Sequence, residues 1–350
     1  MQGHGKGKRG SSGNDRLKEF FAHTEVDALL LINSGSAHTP DANFFYYSGF
    51  SIAGSALLAT RESKILYTSQ INYSYANEVA DCEVRILSNG LKDVLAETKT
   101  LSRVGANFNF LNVNTFKKLS RERKKLVDVG KEMELQRMIK DESELSLMKH
   151  ADSITRKIFE SIEVRAGRTE REIAEELSIL ALENGARNAF PPIVLAGSNS
   201  RFPHGEPSSS RKVRADEMVL IDYGARFENY CADMTRCFFL GACKEERAVY
   251  EKLKEISANI ASKLCVGMRA EEVRAISARE VKRARLPKMI HSIGHGIGLE
   301  VHEAPSLRKS SKDILGEEAM LTLEPAFYGK NFGVRFENVY KLGEKEARLI

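Results

Sequence analysis

Two aspartates in the C-terminal half of the chain stand on strand-like segments with a turn between them. Asp222 lies in the sequence IDYG and Asp233 in the sequence YCADMTR, and residues 224–229 predict a turn that pairs the two strands as a hairpin. Buried carboxylates that lie close together cannot all stay ionised without compensation, so such a pair indicates a cation site. The alternative is one aspartate in a turn and the other paired with Arg236.

A loop rich in histidine and glycine follows at residues 291–305, with His295 between two glycines. Glycine lets backbones approach closely, so the loop predicts an imidazole that is fixed in a tight space. The glycines spell GxGxG, but no strand-to-helix context with GxGxxG surrounds them, which argues against dinucleotide binding. The loop is not a zincin motif either, because Ser306 stands where the second histidine would follow His302. A purely structural role for the loop is the alternative.

Two glutamates, Glu324 and Glu337, end strand-like segments further along the chain. Apolar residues precede both of them, and strict alternation along a strand would accept an outward face for each. Periodicity alone therefore leaves open whether these glutamates face solvent or a site.

Together these segments supply four carboxylates and one imidazole, from Asp222, Asp233, His295, Glu324 and Glu337. Carboxylate-rich sites with a single histidine suit Mn²⁺, Fe²⁺, Co²⁺ or Zn²⁺. Four carboxylates carry too much negative charge for one divalent ion, but they neutralise two. A water that bridges two such ions loses a proton near neutral pH, which supplies a nucleophile for hydrolysis.

The elements that must position these residues fall into two predicted domains, at 14–130 and 131–350. In the first, strand-like segments alternate with helical ones, which predicts a small α/β domain with a mainly parallel or mixed sheet. Its strands are predicted at 26–32, 55–59, 64–68, 84–87, 103–106 and 126–129, and its helices at 71–80, 91–99 and 114–123. In the second domain, helices are predicted at 133–161, 169–185, 245–264 and 270–283, and strands at 218–222, 234–240, 321–324 and 334–340.

Composition restricts the function classes. No stretch of the 350 residues approaches the ~20 apolar residues that a membrane-spanning helix needs, so no membrane partner is expected. Residues 1–13 are rich in glycine and serine, lack the apolar core of a signal peptide and are predicted to be a disordered tail, with a short nucleic-acid-binding arm as the alternative. The formal net charge is +5, and the tail contributes three of these charges, so the folded part carries +2, which argues against a nucleic-acid partner. Five cysteines without CxxC spacing predict free thiols in a reducing compartment and hence a cytoplasmic location.

The segment His291–Glu303, the two aspartates, the second of which is followed by Met-Thr-Arg, and the two glutamates resemble the pita-bread metallopeptidases, the family of methionine and proline-specific aminopeptidases. The segment Arg137–Glu144 is similar to the start of the catalytic domain in the proline-specific branch, which contains Xaa-Pro dipeptidases and Xaa-Pro aminopeptidases. The resemblance covers the catalytic half from about Lys131. It implies an α+β fold in which a pita-bread catalytic domain follows a smaller α/β domain with a mixed sheet.

Carried over position by position, the resemblance implies two divalent ions per subunit, Mn²⁺ or Co²⁺ in first place and Fe²⁺ or Zn²⁺ as alternatives. Asp222 would hold one ion, and Asp233 and Glu337 would bridge both. His295 and Glu324 would complete the other ion, and Glu324 would also be the base that takes the proton of the water.

The same resemblance implies supporting roles for residues around these ligands. His302 would lie beside the scissile bond and stabilise the developing oxyanion. His204 would position the substrate or its departing amine. Thr235, with Arg236 or Arg335, would orient the metal ligands.

The implied reaction is hydrolysis of the Xaa-Pro bond of small peptides through a metal-bridging hydroxide, by a homodimer. An Xaa-Pro dipeptidase must close its site around a free carboxylate, whereas the alternative, an Xaa-Pro aminopeptidase for longer peptides, must leave that side open. The 12 residues between Glu324 and Glu337 form a compact connection and favour the dipeptidase. A non-catalytic binding module and a metal-free creatine-type amidinohydrolase share the fold, but all five ligand positions are present here. The one departure from the family pattern is Asn229, which often is glycine, and asparagine tolerates the left-handed backbone that such a turn needs.

Overall fold

The computed structural model describes residues 12–33, 41–122 and 126–350. The chain divides into two compact units, Met1–Arg137 and Met138–Ile350. Most of the predicted tail lies outside the described residues, but Ser12 caps the first helix and Gly13 begins it. Among the described residues, no helix is both long and apolar enough to cross a lipid bilayer.

The N-terminal unit is built on one six-stranded sheet with helices between the strands. In chain order its elements are α1 Gly13–His23, β1 Ala28–Ile32, α2 Ala42–Ser48, β2 Ala56–Thr60, β3 Lys64–Thr68, α3 Tyr73–Val79, β4 Glu83–Ile86, α4 Leu91–Glu97, β5 Val104–Ala106, α5 Val113–Glu122, β6 Leu126–Asp128 and α6 Gly130–Met138. The strand order is β4-β3-β2-β1-β5-β6, with β1–β2 and β2–β3 antiparallel and the other pairs parallel. The predicted mixed sheet is therefore confirmed.

Helix α6 packs within the N-terminal unit, although the sequence places residues from 131 onward in the second domain. Gln136 donates a hydrogen bond to the backbone carbonyl of Arg16 (2.8 Å) and accepts one from the hydroxyl of Tyr47 (2.7 Å). Arg137 donates to the side chain of Asn43 (2.9 Å). These contacts tie α6 to α1 and α2, so the compact unit extends past the predicted boundary.

The C-terminal unit combines four long helices with short antiparallel sheets. Its elements are α7 Glu142–Ser161, α8 Glu170–Glu183, β7 Arg187–Asn188, β8 Ile193–Ala196, a 3₁₀ turn at Gly197–Arg201, β9 Met218–Tyr223, β10 Ala225–Phe227, β11 Tyr230–Cys231, β12 Met234–Phe239, α9 Lys244–Ala261, α10 Ala270–Arg283, β13 His295–Gly296, β14 Glu303–Ser306, β15 Met320–Leu323, β16 Ala326–Tyr328, β17 Gly333–Arg335, β18 Asn338–Leu342 and β19 Ala347–Leu349. The sheets have the orders β11-β10-β7, β12-β9-β8, β14-β13-β15-β18-β19 and β16-β17.

Two predicted elements are each divided in the structure. The helix predicted at 133–161 is interrupted because Asp141 accepts hydrogen bonds from the backbone of Ser143 and Glu144, which starts α7 as a new helix. The strand predicted at 334–340 is interrupted because β17 pairs with β16, whereas β18 pairs with β15 and β19. Glu337 lies in the gap between them.

Two apolar clusters hold the C-terminal unit together, one on each helix pair. Side chains of α7 and α8 pack on β8 and β9, and side chains of α9 and α10 pack on β15, β17 and β18. Along β9, the residues Val219 and Ile221 join the first cluster and Leu220 joins the second. Because side chains alternate along a strand, Asp222 shares the face of Leu220. The strand is therefore buried on both faces, and its aspartate faces the inside of the unit.

Candidate active site

The strands of the two aspartates are paired as predicted. β9 and β12 run antiparallel with Asp222 opposite Thr235, and Asp233 immediately precedes β12. The small β10–β11 hairpin between them turns through Glu228 and Asn229, whose φ angles are 44° and 72°. Asparagine accepts this left-handed backbone well, so the predicted turn at Asn229 is confirmed.

The glycines around His295 allow the close backbone contacts that the sequence predicts. A Cβ atom on Gly294 would lie 1.9 Å from the carbonyl oxygen of Thr322, and one on Gly296 would lie 2.3 Å from that of Ala304. Nδ1 of His295 lies 3.2 Å from the carbonyl oxygen of Gly296, which favours a proton on Nδ1. The Nε2 lone pair then remains available as a ligand.

Three predicted ligands meet in one cluster. Nε2 of His295 lies 3.6 Å from Oδ2 of Asp233 and 3.9 Å from Oε1 of Glu337, and the ligand atoms of all three lie within 4.8 Å of one another. These separations are too long for hydrogen bonds but suit atoms that share a cation, since tetrahedral ligands at about 2.1 Å from an ion lie about 3.4 Å apart. Glu324 and Asp222 lie outside this closest set.

Burial and mutual repulsion oppose negative charge in the cluster. Burial, followed by the charges of Glu337 and Asp222, raises the pKa of Asp233 well above its usual range. Burial and then Asp222 raise the pKa of Glu337 to about 7, and burial and then Glu337 raise that of Glu324. Burial, with His302, lowers the pKa of His295 to about 3, so its imidazole is neutral. A neutral imidazole among carboxylates that are destabilised as anions fits a site for divalent cations.

Arg335 and Thr235 contact the carboxylates, as their predicted orienting role requires. Arg335 forms an ion pair with Oδ2 of Asp222 and donates to Oγ1 of Thr235 (3.0 Å) and to the hydroxyl of Tyr328 (2.5 Å). The hydroxyl of Thr235 in turn donates to Oε2 of Glu337 (2.8 Å). Oδ1 of Asp222 is buried and has no hydrogen-bond partner, so this oxygen also fits a metal ligand.

Arg236 contacts the backbone of the site and none of its carboxylates. Its guanidinium donates to the carbonyl oxygen of Glu337 (2.7 Å) and to the side chain of Asn338 (2.6 Å). Arg236 therefore fixes the segment that carries Glu337. The alternative in which Arg236 pairs with Asp222 or Asp233 is wrong. The aspartate that does form an ion pair, Asp222, uses Arg335.

The face of Glu324, which periodicity left open, follows from the neighbouring strand. Leu321 and Leu323 of β15 point into the apolar cluster, and Thr322 points the other way. The hydroxyl of Thr322 accepts a hydrogen bond from the backbone of His295 (3.2 Å) and bonds the side chain of Glu337. Glu324 lies two residues after Thr322 and therefore points to the same side, toward Asp233, His295 and Glu337. Its side chain is only 19% exposed.

The remaining predicted residues lie around the cluster. The ring of His302 is 4.2 Å from that of His295, centroid to centroid, and its side chain is exposed. His204 is also exposed. Burial is the main cause that lowers the pKa of His291 and of His302, and the nearby His204 adds to it in both cases. The structure thus brings both predicted histidines to the exposed side of the site.

The sequence assigned no role to three residues that touch the site. Nδ1 of His291 lies 3.7 Å from Oε2 of Glu324, and its ring packs at 5.7 Å from that of Tyr328. Thr322 bonds to both His295 and Glu337. His291 stands four residues before His295 in the histidine-rich loop, and this proximity was the available signal; no comparable signal marks Thr322 or Tyr328.

Comparisons with known proteins agree with this geometry. Residues 146–343 match Metallopeptidase family M24, and residues 14–139 match the Creatinase/Prolidase N-terminal domain. A protein of Pyrococcus furiosus named Xaa-Pro dipeptidase is 31% identical over 347 residues, which cover 96% of each chain. A protein of Pyrococcus horikoshii with the same name is 32% identical in an alignment 351 positions long, which covers 96% of this chain and 97% of that protein.

The fold is also similar to solved structures. A crystal structure of X-Pro aminopeptidase from Thermotoga maritima superposes with a TM-score of 0.85 at 28% identity, covering 95% of this chain and 97% of that one. The predicted α+β pita-bread fold behind a smaller domain with a mixed sheet is therefore confirmed. Since the family match spans more than half of the chain and the relatives match nearly all of it, this chain belongs to metallopeptidase family M24, a family that implies divalent metal ions.

Proposed function

We propose that this chain is an Xaa-Pro dipeptidase, which hydrolyses the bond before the proline of a dipeptide. The observation that carries the proposal is the convergence of Asp233, His295 and Glu337 on one point beside the exposed ring of His302. The names of the two Pyrococcus relatives support the substrate class.

We propose that Asp222, Asp233, His295, Glu324 and Glu337 hold two divalent ions. When bound, the ions would polarise the scissile carbonyl group and make a water nucleophilic at neutral pH. A donor set of four carboxylates and one imidazole supports Mn²⁺ or Co²⁺, with Fe²⁺ and Zn²⁺ as alternatives. Dialysis against a chelator followed by separate addition of each ion tests this choice, and turnover should return to its highest level with Mn²⁺ or Co²⁺.

The side chains around the ligands then have separate tasks. Glu324, whose pKa is raised by burial and by Glu337, is suited to take a proton from the attacking water near neutral pH. His302, whose pKa is lowered by burial and then by Arg308, is a neutral N–H donor for the oxygen of the developing tetrahedral centre. His204 holds the substrate from the exposed side, and Thr235 with Arg335 keeps the carboxylates of Glu337 and Asp222 in place.

Comparison of Ala-Pro with Ala-Pro-Ala tests the substrate class. The metal-loaded protein should cleave the dipeptide and leave the tripeptide nearly intact, and Ala-Ala serves as the control for the proline requirement. Cleavage of the tripeptide but not of the dipeptide would favour the second candidate, an Xaa-Pro aminopeptidase. The similar Thermotoga maritima structure, which is described as an X-Pro aminopeptidase, supports that candidate.

We also propose a cytoplasmic homodimer. All five cysteines have free thiols, which supports a reducing compartment. The dimer rests on the family resemblance, and light scattering coupled to size-exclusion chromatography should give twice the chain mass of 39.1 kDa.

A further inference from the structure

The short loop that carries His302 joins β13 to β14. These strands pair with Gly296 opposite Glu303, and their register shifts next to His295. The loop at 297–302 therefore begins two residues after the predicted metal ligand His295, and its last residue is the histidine proposed to stabilise the oxyanion. How well this loop is fixed decides where the His302 ring can lie.

One side of the loop is held by the β10–β11 hairpin. The backbone N–H of Cys231 donates to the carbonyl oxygen of Gly298 (2.8 Å), and the guanidinium of Arg226 donates to that of Leu299 (3.0 Å). These bonds fix the first half of the loop to the hairpin that precedes Asp233. The second half, next to His302, is held by a different contact.

That contact is a buried ion pair between Lys140 and Glu303. Nζ of Lys140 lies 2.6 Å from Oε1 of Glu303, and the two side chains are only 1% and 5% exposed. The other oxygen of Glu303 accepts a hydrogen bond from the backbone N–H of Glu300 (3.2 Å), so the same carboxylate also closes the turn before His302. Lys140 directly precedes Asp141, the N-cap of α7, so the backbone that carries the ammonium group is fixed at the start of a helix.

Gly298 makes room for this pair. A Cβ atom at this position would lie 2.3 Å from Oε1 of Glu303 and 3.0 Å from Cε of Lys140. Any other residue at position 298 would therefore push the carboxylate away from its ammonium partner. Gly298 and Glu303 are five residues apart in the sequence, whereas Lys140 lies more than 150 residues before them, and the three residues meet in one contact.

We propose that Lys140 and Glu303 are positioning residues for the reaction, which fix the loop so that His302 lies against His295. The inference rests on the proposed function for its catalytic consequence. A buried pair of opposite charges holds a single geometry, whereas an unpaired charge would draw the loop toward water. Misplacing a catalytic group by about 1 Å can cost about 100-fold in rate.

The test uses Lys140→Met and Gly298→Ala in the full-length, metal-loaded protein. Lys140→Met removes the cation, and Gly298→Ala displaces the carboxylate with both charges kept, so the second variant remains informative if the first does not fold. Both should lower kcat for Ala-Pro by about 10- to 100-fold with little change in KM and with unchanged metal content. The matched control is Glu176→Gln. Glu176 lies on α8, and its replacement breaks the ion pair with Arg168, far from the loop, so kcat should stay unchanged.

The double variant Lys140→Met/Glu303→Leu separates positioning from stability. An apolar pair should restore the melting temperature, because neither charge is left buried and unpaired, but kcat should stay low. Recovery of kcat together with the melting temperature, or single variants within twofold of wild type in kcat, would overturn the proposal.

A second readout is independent of peptidase activity. In ¹⁵N-histidine-labelled protein, Lys140→Met should broaden or shift the ring signals of His302 while those of His23 stay unchanged. If the wild-type protein cleaves no Xaa-Pro dipeptide, the proposed function fails, and the NMR comparison still decides whether the pair positions His302. Unchanged His302 signals in both single variants would refute the positioning.

Discussion

The hydroxyl of Thr235 lies 2.8 Å from Oε2 of Glu337, and this one bond joins β12 to the gap between β17 and β18. The backbone N–H of Glu337 also donates to the carbonyl oxygen of Thr235 (3.3 Å). Glu337 is therefore held at both its main chain and its side chain by a residue 102 positions away. The other carboxylate oxygen, Oε1, lies 3.9 Å from Nε2 of His295.

Removal of the Thr235 hydroxyl should weaken metal binding without emptying the site. Thr235→Val loses the bonds to Glu337 and Arg335 at nearly constant shape, and loss of such supporting bonds typically lowers metal affinity about 10- to 100-fold. Isothermal titration calorimetry with Mn²⁺ measures the change in metal affinity. Thr235→Ser keeps the hydroxyl and should restore most of the affinity; equal affinities of the valine variant and the wild type would show that the hydroxyl does not orient Glu337.

Replacement of Asp233 or Glu337 by alanine should abolish turnover. Each is proposed to contact both ions, so its loss should reduce the bound metal from two ions per chain to one or none. Metal analysis of the purified variants, together with their rates on Ala-Pro, checks this outcome. Near-normal turnover in either variant would rule out a site that needs both bridging carboxylates.

His302→Ala should keep the metal and lose most of the activity. The ring stands 4.2 Å from that of His295 but is exposed, so it can contact a substrate without serving as a ligand. Loss of a hydrogen-bond donor to a developing oxyanion typically lowers kcat by about 10²- to 10³-fold. His23→Ala, at the end of α1, is the control. Loss of metal in His302→Ala would show that the roles of His295 and His302 are reversed.

The buried carboxyl group of Glu337 should make the metal-free protein less stable at high pH. Its pKa is about 7 in the folded chain against an ordinary value of 4.5, so its stabilising contribution is complete below about pH 4.5 and is lost as the pH rises through 7. Glu337→Gln cannot ionise. The metal-free variant should therefore exceed the metal-free wild type in free energy of unfolding by an amount that grows from pH 5 to pH 8, to about 3 kcal/mol.

Urea unfolding with a chelator present measures this difference at each pH. Taking the difference between two proteins cancels the contribution of the histidines, whose lowered pKa values act in the opposite direction. With Mn²⁺ present the order should reverse, because only the wild type keeps the full ligand set. A difference that is independent of pH would contradict the raised pKa of Glu337.

The sequence predicted those elements that are stabilised by contacts between residues close together in the chain. The spacing of Thr169 and Glu172 predicts the start of α8, and both capping bonds are present. Helix α10 occupies the predicted residues 270–283. The same capping spacing recurs at Asp141 and Glu144, so the break between α6 and α7 could have been predicted. The continuous helical periodicity on both sides of it favoured a single long helix instead.

Elements whose cause lies far along the chain could not be predicted. Six of the seven residues of helix α2 are buried, so the helix shows no polar face from which a period could be recognised. Helix α1 is an exception, because its cause is the local capping box of Ser12 and Asp15; it was missed because its start lies in the segment predicted to be a tail. The ion partner of Asp222 is Arg335, 113 residues away, and only folding shows that it is this arginine and not Arg236. The family resemblance implied the ligand set and the supporting residues Thr235 and Arg335, whereas the contacts of Thr322 and Tyr328 with the site could not be predicted.

The ion pair between Arg335 and Asp222 has a consequence for how the protein matures. Arg335 is buried and, although burial opposes its charge, the surrounding acids raise its pKa, so this cation is permanent. One of the four negative charges is thus offset by the polypeptide itself before any ion arrives from the medium. The chain therefore carries an internal counter-ion that reduces the repulsion among the buried carboxylates as it folds, ahead of the binding of the proposed metal ions.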